Sequence, residues 1–241
     1  MKIGIIGANG FIGSAITEYL TQCYDVTCIT KQNYNTLKMS IFDVLINANG
    51  NSKKYLADIE PSTDFSASVL SVFNSIHDFK FKRYIYLSSL DAHHFSIYGM
   101  NKRIAENVLY TYSYAVRFNL IVLRLGLVIG QGMKKGVVFD IENDNVLRVM
   151  SESKFQLITS TEVSKVVSKM LKCSNLSTLT YPSNICGSTS ISVNDIAKLM
   201  NKKKLIIDKK ADMQVYEHEA HDIPGVYSLK TSEQYLMDYL Q

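Results

Sequence analysis

The spacing of one tyrosine and one lysine predicts an acid–base site. Tyr98 and Lys102 are separated by Gly-Met-Asn within a segment whose apolar pattern predicts a helix. Residues i and i+4 of a helix project from one face, so the Lys102 ammonium is expected near the Tyr98 phenol. A nearby cation favours the phenolate and is expected to lower the phenol pKa from about 10 toward the working range of an acid–base catalyst.

A serine pair before that helix supplies a second hydroxyl. Ser88 and Ser89 close a predicted strand nine to ten positions before Tyr98. A hydroxyl at a strand end can hydrogen-bond the same substrate oxygen that the tyrosine protonates. The Tyr-x-x-x-Lys spacing is common and also fits a surface tyrosine beside a salt-bridging lysine. The prediction of a site therefore depends on the serine pair and on a glycine turn near residue 7.

That glycine turn predicts a binding site for a dinucleotide. An apolar run ends and a helical pattern begins at Gly7-Ala-Asn-Gly-Phe-Ile-Gly13. A helix N-terminus there offers unpaired N–H groups and the positive end of its dipole, and glycines let a pyrophosphate approach the backbone. The alternative is a turn that only packs tightly. The residues of the turn expected at the cofactor are Gly7, Asn9, Gly10, Phe11, Ile12 and Gly13.

The residue after the second predicted strand bears on which dinucleotide binds. An acidic side chain at this place accepts hydrogen bonds from the adenosine ribose and repels a 2′-phosphate. The chain has Thr30-Lys31-Gln32 instead, and Lys31 can pair with a 2′-phosphate. This favours NADP over NAD, with a surface lysine as the alternative reading.

Predicted strands and helices must position these residues. Apolar runs and helical patterns alternate along the chain, which is typical of an α/β fold with a doubly wound parallel sheet. The predicted strands are Lys2–Ala8, Asp25–Thr30, Phe42–Asn47, Tyr84–Ser88 and Ile121–Leu125, and the predicted helices include Phe11–Cys23, Asp64–His77 and Ser96–Ala115. Only about eleven residues separate Thr30 from Phe42. That is too few for a further helix, strand and helix, so the sheet is expected to be shortened at this edge.

These motifs resemble the extended short-chain dehydrogenase/reductases, in particular the NAD(P)-dependent nucleotide-sugar epimerase/dehydratase family. The resemblance covers residues 1–132 well and is carried by the glycine turn, by Asp43–Gly50, by Arg83–Ser89, by Tyr98 with Lys102, and by Leu123–Gly132. It implies a Rossmann-type NAD(P)-binding domain over residues 1–130. Residues 131–241 are then expected to form a small substrate-binding or cap region, partly packed back on that domain.

The resemblance also implies roles for single residues. Ser89 rather than Ser88 takes the catalytic place, with Tyr98 as acid–base and Lys102 holding the cofactor ribose. Asn47 and Ala48 are expected beneath that ribose, and Arg124 and Gly130 beside the nicotinamide and the substrate. Asn49 and Lys53 follow the same strand as Asn47, and a lysine there is expected to meet a substrate phosphate unless the segment is only a polar loop.

The implied activity is hydride transfer to or from a nucleotide-activated sugar, as a 4-ketoreductase or 4-epimerase of bacterial surface-polysaccharide biosynthesis. The 4,6-dehydratase branch carries Thr-Asp-Glu at the serine position, whereas this chain has Ser89-Leu-Asp91, which disfavours dehydration. Two alternatives remain. One is a regulatory protein that senses a dinucleotide, which has no reason to keep the Tyr98 and Lys102 pair. The other is a reductase of a small non-sugar carbonyl compound.

Composition excludes several other classes of protein. The 26 Lys and Arg exceed the 22 Asp and Glu by only four, without the dense basic stripe expected of a nucleic-acid-binding protein. The four cysteines show no Cys-x-x-Cys spacing, so no metal site is expected and a reduced, cytoplasmic location is predicted. No apolar run approaches the roughly 18 residues of a membrane span. A homodimer is expected from the family resemblance, through the helices 64–77 and 96–115.

Overall fold

A parallel sheet of six strands forms the centre of the fold. The computed structural model describes residues 1–51, 53–172, 181–222 and 227–241. The strands of the central sheet lie in the order β2-β1-β3-β4-β5-β10. Their bounds are β1 Lys2–Ile6, β2 Asp25–Ile29, β3 Ile41–Asn47, β4 Lys80–Ser89, β5 Asn119–Leu125 and β10 Ser183–Ile185. β1 pairs in parallel with both β2 and β3, and β3 pairs in parallel with β4.

Helices alternate with the strands along the chain. They are α1 Phe11–Leu20, α2 Leu56–Ile59, α3 Pro61–Phe65, α4 Ser71–Asp78, α5 Ile97–Val116, α6 Val137–Glu142, α7 Ser160–Lys172, α8 Val193–Leu199 and α9 Ser232–Leu240. A π-helical turn, Ser66–Leu70, joins α3 to α4, and a 3₁₀ turn, Leu90–His93, follows β4. The helix predicted over 64–77 is therefore a run of three helical pieces. The sequence pattern also predicts a helix over Thr161–Cys173, whose last residue lies outside the described residues.

Burial on both faces of the sheet explains why the strands read as nearly continuous apolar runs. Ile3 and Ile5 of β1, on alternate positions, are fully buried, as are Leu45 and Ile46 on successive positions of β3. Aromatic side chains fill the layer between the sheet and α4, where Phe79 packs against Phe42 and Tyr34. The predicted α/β fold with a parallel sheet is confirmed.

The shortened edge is also confirmed. β2 forms the edge of the sheet, and residues 31–39 fold as turns before β3 begins at Ile41. Asn33 organises this connection, because its side-chain oxygen accepts from the Thr30 N–H at 2.7 Å while its amide donates to the Cys28 carbonyl at 2.9 Å. The chain thus returns to the centre of the sheet without a further strand.

The chain divides into two compact units. The first comprises Met1–Arg124 and Val167–Ser183, and the second comprises Leu125–Val166 and Asn184–Gln241. The described residues of the second unit form small strand pairs, which are β6 Leu127–Ile129 with β9 Leu157–Thr159, β7 Val146–Val149 with β12 Ile206–Asp212, and β8 Lys154–Phe155 with β11 Ile191–Ser192. Among the described residues, no helix is both long enough and apolar enough to cross a membrane.

Candidate active site

The glycine turn joins β1 to α1 with the geometry that an anion site requires. Gly7 has a φ of +79°, a conformation that side chains rarely adopt, and its N–H donates to the Ile29 carbonyl at 3.0 Å. A Cβ on Gly13 would collide with the Gly7 carbonyl oxygen, so glycine is required there for the helix to approach the turn. Gly10 caps α1 without a side chain, and Asn9 and Gly10 are exposed, which leaves the N–H groups of the first helical turn directed outward.

The end of β3 lies beside this turn. The buried side chain of Asn47 donates to the Tyr84 hydroxyl at 2.7 Å and accepts from the Asn49 N–H at 2.9 Å. The Ala48 N–H donates to the Ile6 carbonyl at 3.0 Å. Ala48 and Asn49 also lie against Gly7, since a Cβ on Gly7 would come within 3.1 Å of both backbones. The structure therefore brings the predicted residues of β1 and β3 together at one edge of the sheet.

The two serines at the end of β4 have different surroundings. Ser88 is buried, and its hydroxyl donates to the Glu106 carboxylate at 2.5 Å. Ser89 is half-buried, donates to the Asp91 carboxylate at 3.0 Å and accepts from the Asp91 N–H at 3.1 Å. Ser88 is therefore held in the interior, and Ser89 is the more exposed of the two serines.

Helix α5 presents Tyr98, Lys102 and Glu106 along one face, since they occupy positions i, i+4 and i+8. Lys102 is buried, and its Nζ lies 5.5 Å from the centre of the Tyr98 ring and 5.7 Å from that of Tyr86. A Cβ on Gly50, in the loop after β3, would stand 3.0 Å from the same Nζ. The predicted proximity of tyrosine and lysine is thus present, with the cation between two aromatic rings and the loop after β3.

The pKa of Tyr98 shifts in the direction opposite to the one that the sequence predicts. Burial raises the pKa of Tyr98, and the neighbouring Asp91 and Asp64 carboxylates raise it further. Burial lowers the pKa of Lys102, an effect opposed by Asp64, Glu106 and Asp91. The expected lowering of the Tyr98 pKa is therefore not what the structure shows. A phenolate loses hydration on burial and faces two carboxylates, and these effects outweigh the ammonium.

An ion pair stands next to the candidate serine. Lys54 Nζ lies 2.6 Å from the Asp91 carboxylate, which also accepts the Ser89 hydroxyl. Lys54 belongs to the loop after β3, so this loop is tied to the 3₁₀ turn that follows β4. Lys53, which the sequence analysis placed at a substrate phosphate, has an exposed side chain one residue earlier.

Arg124, predicted to contact substrate, is engaged by a buried carboxylate. Its Nε donates to both Glu106 carboxylate oxygens at 3.0 and 3.2 Å, and its Nη2 donates at 2.5 Å. Its Nη1 lies 3.2 Å from His93 Nε2. Gly130, the other predicted substrate residue beyond β5, belongs to the second unit, where it follows β6 and packs against Ser160. Lys31 is exposed after β2.

Sequence reasoning missed the acidic residues of this site. Asp64 is fully buried, and it accepts the side-chain amides of Asn101 and Asn51. Glu106 could have been assigned to the site from the sequence, because it continues the i, i+4 series of Tyr98 and Lys102 on the predicted helix. No sequence pattern predicts that Asp64 and Asp91 lie near Tyr98 and Lys102, since an isolated aspartate in a polar stretch is usually exposed to solvent.

Solved structures of proteins in complex with UDP-sugars and NAD have the same fold as this chain. A structure of MoeE5 in complex with UDP-glucose and NAD is 13% identical, with a TM-score of 0.81 over 100% of this chain and 97% of that one. A UDP-glucuronic acid 4-epimerase from Bacillus cereus, in complex with UDP-glucuronic acid and NAD, is 14% identical, with a TM-score of 0.75 over 99% of each chain.

A third solved structure, RMD from Pseudomonas aeruginosa complexed with NADPH, is 16% identical, with a TM-score of 0.75 over 100% of this chain and 98% of that one. A search of curated protein sequences finds no match.

The model of the NAD dependent epimerase/dehydratase family matches residues 3–153, which is more than half of the chain. The match includes the glycine turn, Ser89, Tyr98 and Lys102, and it confirms the resemblance drawn from the motifs. This chain belongs to the NAD dependent epimerase/dehydratase family.

Proposed function

We propose that this protein is an NAD(P)-dependent oxidoreductase acting on a nucleotide-activated sugar, of the 4-ketoreductase or 4-epimerase type. The observation that carries the proposal is the placement of Ser89 at the end of β4 and of Tyr98 and Lys102 on one face of α5, with Lys102 against the loop that follows β3, in a chain of this family. The related folds described above were solved with UDP-sugars, NAD or NADPH, which supports this substrate and cofactor class.

The residues present fit a dinucleotide. The start of α1 offers unpaired N–H groups, and Gly10 has no capping side chain there. The positive φ of Gly7, and the contact of α1 with Gly7 that leaves no room for a Cβ on Gly13, set the position of this helix start. Asn9, Phe11 and Ile12 belong to the same turn. Asn47 and Ala48 hold the end of β3 against it, where a ribose would rest, and Lys102 lies under the next loop.

The chemistry assigns a distinct task to each of three side chains. A nicotinamide dinucleotide held there would supply or accept the hydride exchanged with a sugar carbon. Tyr98 donates its hydroxyl proton to the sugar oxygen on reduction and takes it back on oxidation. Ser89 turns its hydroxyl from Asp91 toward that oxygen, and Lys102 stabilises the tyrosinate that forms. A raised Tyr98 pKa keeps the phenol protonated at neutral pH, which suits the reductive direction.

Substrate phosphates are assigned to the loop after β3. Asn49 is half-buried at the strand end, and Lys53 presents an exposed side chain on the same loop. We assign Arg124 to the sugar side of the site, as its place in the sequence motif implies, and the role of Gly130, which lies in the second unit, stays a prediction from the sequence. For Arg124 this requires that its Nη1, now at His93, face the substrate while Nε and Nη2 stay on Glu106.

The test is binding and turnover with a matched tyrosine control. Purified protein is titrated with NADPH and NADH by fluorescence and assayed with a panel of UDP- and dTDP-4-keto-sugars. Tyr98→Phe should keep cofactor affinity and lose activity by about a hundredfold or more. Tyr114→Phe, an exposed tyrosine on the same helix α5, should behave as the original protein. Tight cofactor binding without turnover, unchanged by Tyr98→Phe, would instead indicate the dinucleotide-sensing regulatory protein.

The finer assignments extend this proposal. NADP is preferred, because Lys31 is exposed where a 2′-phosphate would lie and no acidic side chain occupies residues 30–32. A reductase is preferred over an epimerase for the same reason, and stoichiometric NAD carried through purification would reverse that preference. Turnover only of small ketones would point to the non-sugar reductase. We place the activity in the cytoplasm, in surface-polysaccharide biosynthesis.

A homodimer through the helices after β3 and β4 completes the proposal. Phe65, Leu70 and Phe73 are each more than one third exposed on the segment from α3 to α4, and Met100 is similarly exposed on α5. Apolar side chains exposed on neighbouring helices favour association with a second copy. Light scattering of the original protein and of Phe73→Glu should show a dimer and a monomer, respectively.

A further inference from the structure

The connection between Ser89 and Tyr98 is held against α5 by an arginine that the proposed mechanism does not use. Arg103 is half-buried on α5. Its Nη1 donates to the Ala92 carbonyl at 2.7 Å and to the His94 carbonyl at 2.9 Å. Both carbonyls lie at the end of the 3₁₀ turn, where a helical turn leaves its last acceptors without partners of its own. These two hydrogen bonds form a clamp that fastens the connection to the helix.

A close backbone contact on the same face of α5 supports the clamp. Gly99 lies four residues before Arg103, so the two residues share a face of the helix. A Cβ on Gly99 would collide with the Asp91 carbonyl oxygen and would come within 2.6 Å of that of His94. The exposed ring of Phe95 has its centre 5.8 Å from the carbon of the Arg103 guanidinium, which adds a cation–π contact. The connection therefore touches α5 at Gly99 and is fastened to it at Arg103.

The clamped turn also holds the Ser89 hydroxyl. The Asp91 N–H donates to Ser89 Oγ at 3.1 Å, and the Asp91 carboxylate accepts from the same hydroxyl at 3.0 Å. The His94 N–H donates in turn to the Asp91 carbonyl at 2.8 Å. Because an N–H bond to the serine oxygen is kept when the hydroxyl turns to a substrate, the backbone of Asp91 sets where that oxygen lies. Arg103 binds the carbonyls one and three residues later, and so fixes this backbone relative to α5.

We propose that Arg103 is a positioning residue for Ser89: by fastening the turn after β4 to the helix that carries Tyr98, it fixes the separation of the two hydroxyls. The inference rests on the proposed function, which directs both hydroxyls to one substrate oxygen. A guanidinium suits this task, because the two hydrogens of one rigid, planar nitrogen reach two different carbonyls. A misplacement of about 1 Å costs up to about a hundredfold in rate, so the clamp is expected to act on turnover rather than on binding.

The first experiment asks whether Arg103 acts through Ser89. Arg103→Met nearly keeps the length of the side chain and removes both donated hydrogen bonds. With a nucleotide 4-keto-sugar that the panel identifies as substrate, it should lower kcat by about tenfold to a hundredfold. The KM for the sugar and the affinity for NADPH should stay within about twofold. In a Ser89→Ala background, the same substitution should lower kcat by less than about threefold, because the serine no longer contributes.

Matched variants accompany this comparison. Arg117 is an exposed arginine at the C-terminal end of the same helix, and Arg117→Met should leave kcat unchanged in both backgrounds. Arg103→Lys keeps a cation but loses the planar fork, so it should show the same changes with smaller size. It takes the place of Arg103→Met should that variant fail to fold.

The second experiment measures the clamp without a substrate. Amide hydrogen exchange followed by NMR reports the local opening of single N–H groups. In Arg103→Met, the N–H groups of Asp91 and His94 should exchange about tenfold faster or more, as expected for losing hydrogen bonds from a charged donor. The Ala48 N–H, which donates to the Ile6 carbonyl in the sheet, should exchange at its original rate.

Three results would overturn the inference. A full tenfold loss of kcat in the Ser89→Ala background would show that Arg103 does not act through Ser89. Equal acceleration at Ala48 would show that the substitution only destabilises the protein, and unchanged exchange at Asp91 and His94 would show that the clamp holds nothing. If no nucleotide sugar is turned over, the proposed function fails and the effect of Arg103 on turnover fails with it, whereas faster exchange at the two amides still supports its hold on the turn.

Discussion

Replacing Glu106 by glutamine tests how the catalytic helix is held against the sheet. The carboxylate of Glu106 joins α5 to the end of β5 through Arg124 and to the end of β4 through Ser88, the neighbour of Ser89. Glutamine keeps the volume and an acceptor for the Ser88 hydroxyl, but it removes the charge that Arg124 binds. The substitution therefore isolates the ion pair from the packing.

The exposed fractions of the two side chains set the expected cost. They are 3% for Glu106 and 15% for Arg124, so the pair is buried, with some solvent reaching the guanidinium. Removing one partner of a buried pair destabilises by about 3–5 kcal/mol. Because Arg124 retains some solvent and its contact with His93, we expect the lower end, about 3 kcal/mol, or roughly a hundredfold in the unfolding constant.

Urea unfolding followed by far-UV circular dichroism measures this cost, since the chain has no tryptophan for fluorescence. Glu18→Gln, an exposed glutamate on α1, is the control and should change the free energy of unfolding by less than about 0.5 kcal/mol. Adding Arg124→Met to Glu106→Gln should recover part of the loss, because no uncompensated charge then remains. A loss below about 1 kcal/mol in Glu106→Gln, or a double variant whose losses simply add, would refute the reasoning.

Three further predictions follow from the site. Ser89→Ala should lower kcat by about a hundredfold or more, with less than about 1 kcal/mol lost in the free energy of unfolding. Ser88→Ala should instead lower the free energy of unfolding in urea by about 1–3 kcal/mol, because it leaves the buried Glu106 carboxylate without one donor. Equal effects of the two substitutions would contradict the different surroundings of the two serines. Gly13→Ala should weaken cofactor binding in a fluorescence titration and destabilise by about 1–3 kcal/mol, because its Cβ collides with the Gly7 carbonyl. Lys31→Glu should reduce NADPH affinity roughly tenfold relative to NADH, and an unchanged ratio would remove Lys31 from the cofactor site.

The sequence alone determined the parts of the site that depend on local spacing. The glycine turn could be read because a strand, a turn and a helix N-terminus follow one another in the chain. Tyr98 and Lys102 could be paired because four residues on a helix return to the same face. The shortened sheet edge followed from a count, since too few residues lie between Thr30 and β3 for another crossover.

The tertiary structure alone decided which charges surround these residues. Asp64 and Asn101 meet across 37 positions of sequence, and Ser88 and Glu106 meet across 18, so no local pattern brings them together. Burial reverses the sequence expectation for the Tyr98 pKa, because hydration and long-range charge depend on packing between elements rather than on neighbours along the chain. Periodicity places a side chain on a face of its own element, and only the fold determines what that face meets.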